Sequence, residues 1–212
     1  MKRVVVPEIL DELTSSDPRA MRSRRDLRMI NALMGNERWI VSELKKRGRK
    51  DSVVELGAGR GELVNQLTGE GWPCRGYDLQ PQPDSLHAQA NWSQGNFFET
   101  LEKDSSPVVV GSLILHHFEE TELLELGRLL EGRQFLVFAE PLRSLLPIIE
   151  GYALFPFVND VTRHDMIVSI RAGFRKGELA QKLGLLAGWD WVETVTLRGG
   201  LRSVAVRRDE IV

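Results

Sequence analysis

Val53-Val54-Glu55-Leu56-Gly57-Ala58-Gly59-Arg60-Gly61-Glu62-Leu63 is an apolar strand that ends in an acidic residue and runs through three closely spaced glycines into a helix. Glycines at 57, 59 and 61 let the backbone turn sharply and approach a bound molecule without a Cβ in the way. The helix opening near Arg60 directs free N–H groups at whatever sits above the loop. Downstream, Cys74-Arg75-Gly76-Tyr77 is a second apolar strand with Asp78 at its end. A carboxylate there is placed to accept hydrogen bonds from a ribose diol. The stretch predicts a nucleoside-cofactor site.

Strands and helices alternate outward from this point. Strands are expected near 52–56, 73–78, 90–94, 108–113 and 133–139, with helices near 60–70, 84–89, 97–103, 119–131 and 174–187. Val108-Val109-Val110 and Phe135-Leu136-Val137-Phe138 are continuous apolar runs, as strands covered on both faces require. Such alternation argues for a parallel sheet with helices on both sides. At the C-terminus Trp189 to Leu197 and Leu201 to Arg207 are two strand-like runs separated by Arg198-Gly199-Gly200, a tight-turn signal, so they should pair as an antiparallel hairpin. On the N-terminal side Ser16-Asp17-Pro18 is a helix start, and Leu27, Ile30, Leu33, Met34, Ile40, Val41 and Leu44 recur at helical spacing. One or two helices over 18–47, breaking at Gly35-Asn36, make residues 1–50 a helical cap on a domain over 51–212, the whole forming one compact unit.

Composition narrows the function classes. A chain of 212 residues suffices for one domain with a substantial core. A net charge of −2 offers no global attraction to nucleic acid. The single cysteine, Cys74, excludes an internal disulfide and fits a reducing compartment. No segment reaches the about 18–20 apolar residues of a membrane span, and the N-terminus stops being apolar too soon for a signal peptide. A soluble, cytoplasmic protein, monomeric or homodimeric, is expected. No Cys/His cluster along the sequence suggests a metal.

A dinucleotide dehydrogenase would carry G-x-G-x-x-G, whose third glycine falls here on Glu62, and an acid before the first glycine is unusual in that motif. Both departures, together with the terminal hairpin, instead resemble the class I S-adenosylmethionine-dependent methyltransferases. Glu55-x-Gly57-x-Gly59-x-Gly61 is similar to that family's first motif, where the loop (with Ala58) passes under the methionine part of the cofactor. Asp78, followed by Leu79, matches the acidic residue that binds the ribose hydroxyls. Gly95-Asn96-Phe97 sits where the family carries an Asp beside the adenine; here the amide of Asn96 would take that role, with Phe97 at the base. Ser112-Leu113-Ile114-Leu115-His116-His117-Phe118 resembles the segment after the fourth strand in small-molecule members, and Glu140-Pro141-Leu142-Arg143 the segment after the fifth. The resemblance covers residues 50–140 and the hairpin. It implies an α/β, Rossmann-like fold with a mostly parallel seven-stranded sheet, S-adenosylmethionine as cofactor and S-adenosylhomocysteine as its product.

Members that methylate nucleic-acid amines or glutamine amides carry an Asp/Asn-Pro-Pro-aromatic motif where this chain reads Ser112-Leu113-Ile114-Leu115, which argues against that chemistry. A small acceptor, aromatic or lipid-like and methylated at oxygen, is expected. His116 and His117 are the candidate bases, His116 foremost, since a histidine titrates near neutral pH. Residues 142–172 form the family's variable region. Its apolar members, Leu142, Leu145, Leu146, Ile148, Ile149, Tyr152, Leu154, Phe155, Phe157 and Val158, fit core or a dimer face for the most part, the functional reading being a lid or pocket wall over the acceptor. Asn159, Arg163 and His164 beside them, with Arg25, Arg28 and Arg143, are candidate acceptor contacts; solvent-facing charge and helix capping are the other account of them. Ser23-Arg24-Arg25-Asp26-Leu27 together with Asn159 to Phe174 is similar to bacterial methyltransferases of polyketide and phenolic-lipid pathways. A non-catalytic cofactor-binding sensor or scaffold and an NAD(P)-dependent oxidoreductase are the competing readings.

Overall fold

The computed structural model describes residues 1–14 and 16–208, so the last four residues of the expected 51–212 domain lie outside the described ones. Three helices precede the first strand: α1 (Ile9–Glu12), α2 (Pro18–Met34) and α3 (Asn36–Lys46). α2 starts as its sequence signals: the Asp17 side chain accepts from the Arg19 N–H, and Pro18 occupies a position whose N–H would have no helical partner. Gly35 ends it in the left-handed conformation, φ 64°, and α3 follows at once.

From residue 53 the order is β1 (Val53–Leu56), α4 (Glu62–Gly69), β2 (Cys74–Asp78), β3 (Asn91–Gln94), α5 (Phe97–Thr100), β4 (Val108–Ser112), α6 (Glu120–Leu130) and β5 (Phe135–Pro141). α7 (Leu145–Leu154), α8 (Asp160–Ala172), α9 (Glu178–Lys182), β6 (Trp189–Val195) and β7 (Gly200–Arg207) complete it. The seven strands form one sheet in the order β3-β2-β1-β4-β5-β7-β6. β1 to β5 run parallel, and β7 lies antiparallel to both β5 and β6. The mostly parallel sheet closed by a reversed hairpin is thus the observed architecture.

Period-two alternation divides the core between the two faces of the sheet. Val109, Leu136 and Phe138 pack with Leu123, Leu126 and Phe174 on one side. Val108, Val110 and Val137 pack with Leu63, Leu67 and the α3 residues Ile40, Val41 and Leu44 on the other. α3 is therefore a covering helix of the sheet, whereas α1 and α2 pack against α8.

Two expected helices differ. The segment 84–89 is turned but not helical: the Asn65 side chain on α4 accepts from the His87 N–H and donates to the Ser85 carbonyl. Those backbone groups are taken by α4, and Pro81 and Pro83 contribute no N–H of their own. The helix expected over 174–187 contracts to α9, bracketed by Gly177 and Gly184 at φ 84° and 69°. Residues 142–172 hold two helices, α7 and α8, packed on one another.

Candidate active site

β1 and β4 are neighbours in the sheet, and from β1 the strand order proceeds in opposite directions, which opens a crevice above their C-terminal ends. The glycine loop leaves β1 on one side of that crevice. Gly57, Gly59 and Gly61 all take positive φ, at 65°, 54° and 74°. A Cβ at Gly57 would stand 2.6 Å from Ile114 Cδ1, so the loop is pressed against the segment leaving β4, whereas Gly59 faces open space. Asp78 ties the end of β2 to this loop: one carboxylate oxygen accepts from the Gly59 N–H (2.7 Å), the other from the Gln80 N–H (2.8 Å). Leu79 beside it is 71% exposed, while Ala58 is buried beneath the loop and its N–H donates to the Tyr77 carbonyl (3.0 Å). Glu55 is buried under the loop, and burial, aided by the charges of Glu37 and Glu62, raises its pKa well above the usual carboxyl value.

Asn96 caps α5, its amide oxygen accepting from the Phe98 N–H (3.1 Å). Phe97 is buried in the core, stacked on Phe98 and edge-on to Phe118. Asn96 is exposed, whereas Phe97 is enclosed in the core.

On the other side, Ser112 ends β4 and Leu113 is held at φ 57°, the one non-glycine residue with positive φ among the described residues. Its N–H donates to the Ala139 carbonyl (2.8 Å), so the reversal is fastened to β5. Such a conformation costs about 1–2 kcal/mol for a residue with a Cβ. The chain then makes one 3-10 turn, Leu115–His117. Glu140 near the end of β5 organises that turn. Its Oε1 accepts from the N–H groups of Ile114 (3.1 Å) and Leu115 (2.8 Å). Its Oε2 accepts from the His116 N–H (3.2 Å) and meets His116 Nδ1 at 2.8 Å.

His116 and His117 stand differently. His116 is buried between Glu140 and Glu8, whose Oε1 lies 3.7 Å from Nε2. Burial pushes this imidazole down, but the hydrogen bond to Glu140 and the nearby Glu8 carboxylate prevail and raise it to about 9. His117, its ring centroid 4.2 Å from that of His116, is lowered by burial and by the neighbouring imidazolium.

Both histidines line a cavity of about 610 Å³, a size suited to a small organic ligand. Ser112, Leu113 and Pro141 form its floor at the ends of β4 and β5. α2 supplies Leu27, Ile30, Asn31, Leu33 and Met34; α7 supplies Pro147, Glu150, Gly151, Ala153 and Leu154; α8 supplies Asp165, Met166, Ser169 and Ile170. Glu8 closes one side and Leu197, Arg198 and Gly199 of the hairpin turn another. The wall is thus largely apolar, with Asp165 and the two histidines near Glu8 and the Glu150 carboxylate beside the hairpin turn.

Of the apolar residues singled out over 142–158, Leu154 lines this cavity, while Leu145, Ile149, Tyr152 and Phe157 are exposed. The polar candidates sit elsewhere. Arg25 is exposed and pairs with Asp26, and Arg28 is exposed. Arg143 is buried, donating to the carbonyls of Gly173 and Met1 and pairing with Glu178. Asn159 caps α8 by accepting from the Thr162 N–H (2.9 Å). Arg163 donates to the Phe155 carbonyl and pairs with Asp160, both at 2.8 Å, and His164 pairs with Asp165. Arg143, Asn159, Arg163 and His164 are thus engaged in a cap, backbone hydrogen bonds and ion pairs. Glu8, Asp165 and Ser169 do line the cavity: Asp165 and Ser169 stand one turn apart on α8, whereas no spacing or motif marks Glu8, which reaches the cavity from a segment far from them in the chain.

No family model matches the chain. A search of curated proteins finds a mitochondrial L-galactono-1,4-lactone dehydrogenase 2 of Oryza sativa subsp. japonica, 33% identical over 110 residues. That match takes in half of this chain, which spans 18% of the length of the rice protein. Solved structures agree over nearly the whole chain. The plantazolicin methyltransferase BamL, in complex with a triazolic desmethylPZN analogue and SAH, superposes with a TM-score of 0.72 at 12% identity, covering 94% of this chain and 93% of that one. The plantazolicin methyltransferase BpumL with the same kind of analogue and SAH gives 0.70 at 13% identity, over 92% and 93%. Human N-acetylserotonin methyltransferase in complex with SAM gives 0.63 at 14% identity, over 94% of this chain and 61% of that one. With its strand order, its glycine loop at the β1/β4 crevice and these neighbours, the chain has the fold of the class I S-adenosylmethionine-dependent methyltransferases.

Proposed function

We propose that this protein transfers a methyl group from S-adenosylmethionine to an oxygen of a small, largely apolar acceptor. The observation that carries the reading is the adjacency of loop and cavity: Gly57 of the glycine loop is pressed against Ile114, and Ser112 and Leu113, which lead into Ile114, line the 610 Å³ cavity. The residues present fit the cofactor. Gly59 offers backbone beneath open space, the Asp78 carboxylate is aimed by the Gly59 and Gln80 N–H groups, and Leu79 presents an exposed apolar surface. Asp78 would hold the ribose diol, residues 57–61 the methionine part, and Asn96 the adenine edge. When bound, the cofactor supplies an electrophilic methyl on its sulfonium.

The chain's own contribution is positioning. Glu140 fixes the turn that carries His116 and His117, and Leu113 is held where its backbone separates cofactor from acceptor. α2, α7 and α8 wall the cavity and would enclose the acceptor, whose attacking atom must stand in line with the methyl. His117 is the ring we assign to contact with the acceptor, since the ring of His116 is held by Glu140. Oxygen is favoured as the accepting atom because the chain has no Asp/Asn-Pro-Pro-aromatic motif at 112–115.

Calorimetry with S-adenosylmethionine, S-adenosylhomocysteine and a nicotinamide dinucleotide should show binding of the first two alone. Labelled methyl transfer to phenols, hydroxy acids and amines should favour the oxygen acceptors. Asp78→Ala should weaken cofactor binding about tenfold or more, the loss of a ribose hydrogen bond to a charged acceptor. His117→Ala should reduce turnover far more than cofactor affinity. Tight cofactor binding with no transfer to any acceptor would leave a non-catalytic binder and overturn the reading.

A further inference from the structure

Three ligating groups converge at the carboxylate-rich end of the acceptor cavity: Glu8 from the N-terminal segment and His116 and His117 from the turn after β4. One donor atom from each lies within 4.8 Å of the others. His116 Nε2 and Glu8 Oε1 are 3.7 Å apart, too long for a hydrogen bond. Ligands about 2 Å from a tetrahedral Zn²⁺ stand about 3.3 Å from one another, so closing this trio on a cation takes movements of about 1.5 Å or less.

The surroundings are those of a metal ligand set. A ligating histidine presents one ring nitrogen to the metal and donates the other N–H to a carboxylate that fixes its tautomer and orientation. His116 has this arrangement: Nδ1 meets Glu140 Oε2 at 2.8 Å, which leaves Nε2 directed at Glu8, where a bound cation would displace the Nε2 proton to solvent. A ligating carboxylate is itself hydrogen-bonded, and Glu8 Oε1 accepts from the Ser169 hydroxyl, whose one proton it shares with the Asp165 carbonyl. Glu140 is held in place by three backbone N–H groups and cannot turn toward Glu8.

We infer that Glu8, His116 and His117 form a binding site for a divalent cation of the zinc type, with a remaining coordination position open to the acceptor cavity. Two imidazoles and one carboxylate suit Zn²⁺ or a neighbouring first-row metal and disfavour Mg²⁺ or Ca²⁺, which take oxygen ligands. All three residues line the cavity, so the open position faces whatever occupies it. Its occupant would be an oxyanion, a phenolate or carboxylate of the acceptor. This consequence for the acceptor rests on the methyl-transfer reading, whereas the metal site does not.

The test uses the full chain after treatment with a chelator. Zn²⁺ is titrated by calorimetry, and Co²⁺ by the visible absorption that a low-symmetry nitrogen and oxygen site produces. One equivalent of each should bind. Glu8→Gln and His117→Gln, which lie on different segments, should each raise the Kd at least about tenfold, and Glu140→Gln about 10–100-fold through the ring that it orients. Thermal melts of each variant identify any that fails to fold. No stoichiometric binding, or a Kd unchanged in both folded ligand variants, overturns the site. S-adenosylhomocysteine calorimetry on the same sample separates the two readings: binding of that ligand without metal overturns the metal site alone, and metal binding without it supports the site while removing the methyl-transfer reading.

Discussion

Glu55 is a carboxyl group taken far from the environment that water would provide. Its side chain is enclosed beneath the glycine loop, and Oε2 has no hydrogen-bond partner among the described residues. Burial first, then the charges of Glu37 and Glu62, favour the protonated form, so its pKa in the folded chain stands above its unfolded value. The folded chain therefore holds a proton that the unfolded chain releases as pH rises past about 4.5, and stability falls through that range. Glu55→Gln keeps the shape without the proton. Denaturant melts should find it more stable than the natural chain at pH 8, with the difference narrowing as pH approaches 4.5. Equal stabilities at pH 8 would remove the account. At this scale the sequence is legible where backbone demands a residue type. Gly57, Gly59 and Gly61 announced a loop because only glycine takes φ near +60° without cost, and Asp17-Pro18 announced a helix start for a similarly local reason. The division of labour between His116 and His117 had no such local signal, since it depends on Glu140 and Glu8, which lie 24 and 108 positions away in the chain.

Elements were legible when their ends carried punctuation. The β6–β7 hairpin formed at Arg198-Gly199-Gly200, with Gly199 at φ 68°. The 84–89 segment was misread because its helical character lost to a partner outside it, the Asn65 side chain. Close packing between elements is equally hidden. Gly127 of α6 faces the backbone of Leu183 just beyond α9, and a Cβ there would collide with the Leu183 carbonyl. Gly127→Ala has a favourable helix propensity, so a local account predicts stabilisation by about 1 kcal/mol. Packing predicts the opposite, a loss of about 1–3 kcal/mol, because a backbone carbonyl cannot step aside as a side chain can. Urea melts decide between them, and a stabilised variant would mean that α9 does not dock on α6 as described.

For the molecule as a whole, ligand and fold are linked. A ligand that binds the folded chain alone stabilises it by about 2.7 kcal/mol at a hundredfold excess over Kd. For a chain of this length that corresponds to a rise in Tm of about 5–10 °C. S-adenosylhomocysteine should produce such a shift, a nicotinamide dinucleotide none, and Asp78→Ala should lose most of it. Scanning fluorimetry tests all three, and equal shifts from both ligands would overturn the cofactor assignment. Cavity ligands are held by α2, α7 and α8 together, so an acceptor should add its own increment.

The alternation of strands and helices, the loop above β1 and the reversed hairpin followed from the sequence by itself, because each depends on residues within a turn or two of one another. Hydrophobic period and glycine φ are local properties, and they survive reading without coordinates. The composition of the acceptor cavity was decided by tertiary structure alone. Glu8, Ser112, His117, Asp165 and Leu197 come from five separate segments that only sheet formation and helix packing bring together. Asn159, Arg143 and Arg163 look in sequence like ligands for a substrate, yet the fold uses them as a cap and as ion pairs. A polar side chain reveals its chemistry in the sequence, but its partner is chosen by what burial places beside it.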